Sequence, residues 1–177
     1  MSIKEKSKDL LRPIYRQFLA AKNKGDNVTC NICGRSYKSL RPVMGQHADG
    51  SFFEIKDHVG SCWLCNSYPR TRQMYYWLTN DFKIESANNL KLLHVAPEVQ
   101  ISYKLRKFSD LDCICIDKHC PGYRYSNYVQ NGDVCKIEFD DNTFDMVICN
   151  HVLEHILDDK TAMTEIKRVL KKMESPF

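Results

Sequence analysis

The run Leu92-Leu93-His94-Val95-Ala96-Pro97-Glu98 reads as a short apolar strand that ends in a bend. A helical pattern covers residues 99–108, and Asp112–Asp117 is a second apolar run rich in Ile and Cys. The same signature returns at Phe144–Asn150, with another helical pattern at 160–172. Strands alternating with helices predict an α/β fold, a Rossmann-like parallel sheet covered by helices. In such a unit a ligand binds in the crevice outside the strand ends. Asp117 closes the second strand, and its separation from Glu98 is close to the roughly 20 residues at which an acidic side chain meets ribose hydroxyls. Taken alone, Asp117 also reads as a surface carboxylate.

Upstream, the character of the chain changes. Residues 4–24 carry Leu10, Leu11, Ile14, Tyr15, Phe18 and Leu19 at helical spacing. Pro13 predicts that the strong helix starts there, and Gly25-Asp26-Asn27 that it ends there. A further helix is expected from about Thr71 to Leu78. Between these helices lie two matching pairs, Cys30-Asn31-Ile32-Cys33-Gly34 and Cys62-Trp63-Leu64-Cys65-Asn66. Two residues between thiolates let a tight turn aim both sulfurs at one ion. The Gly or Asn that follows suits the left-handed backbone of such a turn. Cys30, Cys33, Cys62 and Cys65 together predict a closed, structural zinc site. The gap from Cys33 to Cys62 exceeds the roughly 15–20 residues of the common pattern, so the ribbon carries an inserted loop. His47 and His58 lie in that loop as alternative ligands. A redox role for the CxxC pairs lacks the strand-to-helix context it needs. The organisation expected is a helix plus four-cysteine zinc-ribbon-like module over residues 1–85, and a partial Rossmann-like domain over 86–177.

Composition sets limits on function. The chain has 177 residues, 43% of them hydrophobic, as in folded globular proteins. No apolar run approaches the roughly 20 residues of a membrane span, so no membrane partner is expected. The Lys-rich start carries no secretory signal, and with nine cysteines the expectation is reduced thiols in the cytoplasm. Cys113, Cys115 and Cys149 read as small buried apolar residues, and Cys120 and Cys135 as loop thiols. Residues 1–83 hold 14 Lys and Arg against 7 Asp and Glu, whereas residues 84–177 hold 12 against 15. The basic front allows a nucleic-acid partner, but no motif supports one.

Four blocks carry a family resemblance: Gly132-Asp133-Val134; Phe144 to Ile156, including Asn150-His151-Val152-Leu153-Glu154-His155; Asp158 to Met163; and Glu165 to Lys171. In order and spacing they resemble the type 11 group of class I S-adenosylmethionine-dependent methyltransferases, over about residues 90–172. The cysteine pairs leading into Ser67-Tyr68-Pro69-Arg70-Thr71-Arg72 are similar to the zinc-knuckle leader of a subgroup that carries His-x-Ala-Pro-Glu in its first motif. His94 to Glu98 match that motif.

The resemblance implies that His94, Ala96, Pro97 and Glu98 wrap the methionine part of S-adenosylmethionine. Asp117 would hold the ribose, Asp133 and Val134 would face the adenine, and Asn150 and His151 would floor the site beside the sulfonium. The first loop departs from the common pattern in having no glycine. No catalytic base is identifiable, and the methyl acceptor is unknown.

Two rival readings stand beside this one. His151-Val152-Leu153-Glu154-His155 matches the inverted zinc-protease pattern, which needs both His on one helical face. A non-enzymatic zinc-ribbon binding module with a degenerate methyltransferase-like half is the other. Family members continue beyond the 160–172 helix with further strands, so the chain is expected to be C-terminally truncated. Its fourth strand would then form an open edge, and Ala162, Ile166, Val169 and Leu170 an uncovered outer stripe. Self-association or a completing partner, and weak activity alone, follow from that expectation.

Overall fold

A computed structural model describes residues 3–47, 49–55 and 60–172. The chain divides into two compact units between Phe82 and Lys83.

The first unit opens with α1 (Ile3–Lys22), a continuous helix that runs through Pro13. The helix therefore starts ten residues before the Pro13 start expected from the sequence. Proline removes one helical hydrogen bond, but the Leu, Arg, Gln and Ala residues that follow are good helix formers and sustain the flanking turns. The helix stops at Lys22, three residues before Gly25, and Asn23 directs both its backbone N–H and its side-chain amide to the Leu19 carbonyl. Gly25-Asp26-Asn27 instead lies in β1 (Lys24–Thr29), antiparallel to β2 (Ser36–Tyr37). β3 (Val43–Gln46) and β4 (Phe52–Ile55) make a second antiparallel pair, with Val43 opposite Ile55. α2 (Pro69–Tyr76) begins on a proline, which suits the first helical turn, and passes into a π-helical turn at Trp77–Asp81. Gly60 is held by a close backbone approach: a Cβ there would sit 1.4 Å from the Arg41 carbonyl oxygen. The Arg41 N–H bonds the Ser61 carbonyl at 3.0 Å, fixing the two strands of chain at that distance.

The second unit is the α/β half. Its elements are β5 (Leu90–Val95), α3 (Val99–Leu105), β6 (Leu111–Asp117), β7 (Val129–Asn131), β8 (Met146–Cys149) and α4 (Asp159–Val169). The four strands form one sheet in the order β7-β6-β5-β8, parallel at each pairing described. Leu93 sits opposite Ile114 on one side and Val147 on the other, so the Rossmann-like expectation holds at residue level. β8 lies at the sheet edge among the described residues. Beyond its start, Phe144 makes a parallel bridge with Leu170.

One sheet face, with Leu93, Val95 and Ile116, packs with Val134, Ile137, Phe144, Ala162 and Val169 into the core. This corrects the reading of α4. Ala162 and Val169 are fully buried, so the stripe expected to lie uncovered is the face that holds the helix on the sheet. The physical reason is economy of apolar surface: a helix with one such stripe buries it against the sheet available to it. Arg168 fastens the same corner. Its guanidinium donates to the carbonyls of Ile137 and Phe139 and to Glu165 and Asp141, all at 2.8 Å. Asp158 caps α4 by accepting from the Thr161 N–H at 3.0 Å.

Phe144 joins the end of the Asp140–Thr143 turn to the core with no exposed surface. Phe144→Ala is therefore expected to destabilise the second unit by about 3–5 kcal/mol, the range for emptying a buried aromatic site. Urea unfolding of the full chain, followed by a probe in residues 83–172, measures it. A loss under about 1 kcal/mol would mean the site collapses around the smaller side chain.

Candidate functional site

Cys30, Cys33, Cys62 and Cys65 come together with all four sulfurs within 4.8 Å of one another. Cys30 Sγ lies 3.7 Å from Cys65 Sγ, and Cys33 Sγ 3.6 Å from Cys62 Sγ. A tetrahedral zinc with bonds of about 2.3 Å separates its sulfurs by about 3.8 Å, so the cluster fits the ion. The two knuckles are built alike. The Cys30 carbonyl accepts from the Gly34 N–H at 2.8 Å, and the Cys62 carbonyl from the Asn66 N–H at 3.0 Å. Gly34 and Asn66 both take left-handed backbone, with φ of 71° and 57°. The Cys30 N–H donates to the Arg35 carbonyl and the Cys62 N–H to the Ser67 carbonyl, each at 3.0 Å.

Around the sulfurs, Ser67 Oγ lies 3.2 Å from Cys65 and 3.5 Å from Cys30, and the Tyr37 hydroxyl 3.6 Å from Cys62. Hydrogen bonding from Cys33 drives the Cys30 thiol far down. Cys62 is raised by Cys30 but lowered by Cys33 and Cys65, and ends at about 6. Cys33 and Cys65 are pushed up by the same neighbours, Cys30 foremost. Four thiols this close ionise together only around a cation. His47 stands apart, its ring 4.4 Å from Phe53, and is not in the cluster. His58 lies outside the described residues.

In the second unit the carboxyl ends of the strands enclose a cavity of about 530 Å³. Ala96, Asp117, Asp133, Val134 and His151 line it. Pro97 lines an adjoining cavity of about 610 Å³ that shares Asp117 and His151. The remaining three sequence-derived residues lie behind these surfaces as a bonded group. His94, with no exposed surface, meets Glu98 at 2.9 Å through Nε2, and the Asn150 amide donates to the same carboxylate at 3.5 Å. His94 Nδ1 is buried with no partner. Burial acts to raise the Glu98 carboxyl, but the His94 bond and charge outweigh it and hold the group below the usual carboxylate range. Glu98 also begins α3, where its carbonyl accepts from Ile101 and Ser102 at 3.0 Å.

The loop manages without glycine. Ala96 itself takes left-handed backbone, φ 46°, and donates its N–H to the Ile116 carbonyl at 2.8 Å. Such a conformation costs a residue with a Cβ about 1–2 kcal/mol and persists where its surroundings enforce it. Gly132 supplies the close approach on the neighbouring strand end, since a Cβ there would come 3.1 Å from Ile116 Cβ.

Asp117 and Asp133 differ in state. Burial pushes the Asp117 carboxyl up, against smaller opposing effects of the Lys118 N–H and His119. Asp133 is held down, first by Lys118 Nζ at 2.7 Å and then by the Cys135 N–H at 2.9 Å. A raised, partly buried carboxyl fits a ligand that presents hydroxyl donors. At Asp133 such a ligand competes with the lysine.

His151 has φ 53°, and its Nδ1 lies 2.9 Å from Glu154. Leu153–His155 forms only a 3₁₀ turn, so the two histidines of the protease-like pattern share no α-helical face. Among the described residues the four cysteines form the metal-capable cluster, and all nine cysteines are free of disulfides. Sequence reasoning missed Lys118, Gly132, Cys135, His155 and the Ile156-Leu157-Asp158 rim. The available signal was position, because each follows closely on a strand end.

Residues 106–173 match the methyltransferase domain family of the type 11 group. Three solved structures resemble the chain. A protein from Methanococcus maripaludis, provisionally described as an S-adenosyl-L-methionine-dependent methyltransferase, is 20% identical over 56% of this chain and 52% of its own, with a TM-score of 0.44. A provisionally described methyltransferase from Bacillus halodurans is 21% identical over 54% and 42%, with a TM-score of 0.40. The YcgJ protein of Bacillus subtilis is 21% identical over 55% and 47%, with a TM-score of 0.41. The chain thus spans about half the length of these structures. No curated protein matches it.

The Glu98 pair makes a prediction about pH. A carboxyl whose folded pKa lies below its unfolded value stabilises the fold above the usual carboxylate range. That contribution disappears as pH falls through the lowered value. Glu98→Gln is expected to flatten the acid limb of the stability curve and leave its neutral slope unchanged. Thermal unfolding of both proteins across that limb decides it, and parallel curves would refute the assignment.

Proposed function

We propose that the second unit binds S-adenosylmethionine at the strand-end cavity and directs its methyl group to an acceptor, while a zinc ion braces the first unit. The observation that carries the reading is Asp117, a partly buried carboxylate at the end of β6, opening on a cavity at the carboxyl edge of a parallel sheet. Ligands of such sheets bind outside the carboxyl ends, where the strand order reverses, here between β5 and β8. The family match over residues 106–173 supports the same chemistry.

In this reading Asp117 accepts hydrogen bonds from the ribose hydroxyls. Val134 offers an apolar wall to the adenine, with Asp133 beside it. The Ala96-Pro97-Glu98 bend, pinned from behind by His94 and Asn150, lies against the methionine part. His151 forms the floor, with Asn150 behind it bonded to Glu98. When bound, S-adenosylmethionine supplies an electrophilic methyl group on a sulfonium. The chain's own contribution is alignment, so a dedicated base is not required. The methyl acceptor is unidentified. A cytoplasmic setting, where thiols stay reduced, goes with a tetrathiolate zinc. No helix among the described residues is long and apolar enough to cross a membrane.

A second reading, a non-enzymatic zinc-ribbon module with a degenerate methyltransferase-like half, draws on one observation. The first loop has Ala96 in a strained conformation where glycine is the usual solution.

Calorimetric titration with S-adenosylmethionine separates the two. Binding is expected, and Asp117→Ala is expected to weaken it by about 1.5–3 kcal/mol, the scale of hydrogen bonds to a charged group. Affinity should fall as pH drops through the raised Asp117 value, because ribose hydroxyls bind the ionised form best. Unchanged affinity in Asp117→Ala places the ribose elsewhere; no binding by the parent chain favours the second reading.

Metal content is tested on the same sample. One zinc per chain is expected by elemental analysis, with loss of metal and of first-unit structure in Cys65→Ser. Zinc-free protein, or full zinc in Cys65→Ser, removes the metal from the proposal.

A further inference from the structure

The first unit carries an apolar stripe that its own fold does not use. On α1, Leu11, Ile14, Tyr15 and Phe18 stand 58%, 64%, 57% and 63% exposed. Their spacing of three, four and seven residues places them along one side of the helix. The helix sequence is strongly basic, with Lys4, Lys6, Lys8, Arg12, Arg16 and Lys22 against Glu5 and Asp9. A stripe of this kind on a helix of low mean hydropathy, rich in cations, is the pattern of a segment that lies in a membrane interface.

We propose that α1 binds the surface of an anionic lipid bilayer, lying in its plane with Leu11, Ile14, Tyr15 and Phe18 turned to the acyl chains. Charge complementarity selects this occupant. The excess of cations on one helix is attracted to anionic headgroups, and each Lys or Arg near such a surface strengthens binding by about fivefold. A second copy of the chain seated on the same stripe would bring two cation-rich helices together, which like-charge repulsion opposes. Tyr15 and Phe18 suit the boundary between headgroups and chains, where aromatic side chains are favoured. The expectation of no membrane partner rested on the absence of a spanning run, and a helix lying on the surface needs none.

The experiment is co-sedimentation of the full zinc-loaded chain with phosphatidylcholine vesicles, with and without phosphatidylserine. The expected result is binding to the phosphatidylserine vesicles that falls with added salt. Phe18→Glu is expected to abolish it, and Arg16→Glu with Lys22→Glu to weaken it more than about tenfold. Phe18 is exposed, so the variants should keep their zinc content and circular dichroism, which are measured alongside. Absence of binding, equal binding to both vesicle types, or binding unchanged in Phe18→Glu overturns the proposal. So does a dimer seen by light scattering that dissociates in Phe18→Glu without any vesicle binding, since the stripe then belongs to a second copy.

Discussion

Pairing of β5 on both of its edges, with β6 on one side and β8 on the other, sets the relative positions of Ala96, Asp117 and Asn150 at the strand ends. Parallel pairing fixes register, and register fixes which side chains share a level. His94 stands level with Cys115 and Ile148, and Val95 with Ile116 and Cys149. The next residues along these strands are Ala96, Asp117 and Asn150. A shift of one residue in either pairing would turn each strand's side chains to the opposite face. Leu93, Val95 and Ile116 would then leave the core they form with Val134, Phe144, Ala162 and Val169, so apolar packing holds the register that positions the polar groups.

That coupling explains which parts were legible in the sequence. The apolar runs gave β5, β6 and β8, because a parallel sheet covered on both faces needs Val, Ile, Leu and Cys there, whereas β7, Val129-Gln130-Asn131, carries no such run. The paired cysteines gave the thiolate cluster, because the CxxC turn is local and its left-handed residue, Gly34 or Asn66, is written beside it. What could not be read was geometry that depends on distant chain. His94 and Glu98 were legible as a motif, yet not as a buried pair that also engages Asn150. Ala96 was legible as a missing glycine, whereas its left-handed backbone follows from the Ile116 carbonyl on another strand. The stripe on α4 was read correctly as apolar and placed on the wrong side, since periodicity shows that a helix has a buried face without showing against what. Pro13 misled in the opposite way, as a local rule overridden by the helix formers that follow it.

The two units rest on different physics. The second has a contiguous core of aliphatic residues and Phe144 packed on its sheet. In the first, the strands are short, their side chains are mostly exposed, and much of the buried set lies in or beside the cysteine cluster: Cys30 and Cys62, with Ile32 and Tyr37. A segment with so small a core depends on an added constraint for its fold. Gly60 belongs to this account. Its backbone passes so close to the Arg41 carbonyl that no side chain fits there.

The thiolates also impose an electrostatic requirement that the fold meets locally. Four ionised sulfurs would outweigh the charge of one zinc ion held as proposed, and nearby donors would have to stabilise the excess negative charge. Ser67 lies beside two of the sulfurs and the Tyr37 hydroxyl beside a third. Arg72 donates to the carbonyls of Ser67 and Gly60, which ties the second knuckle to the chain leading into it. These groups serve the ligands as His94 and Asn150 serve Glu98. In each unit polar neighbours fix the orientation of these side chains, and low exposure strengthens the hydrogen bonds that do so. Placement of the candidate ligand groups therefore depends on residues that need not touch the ligand.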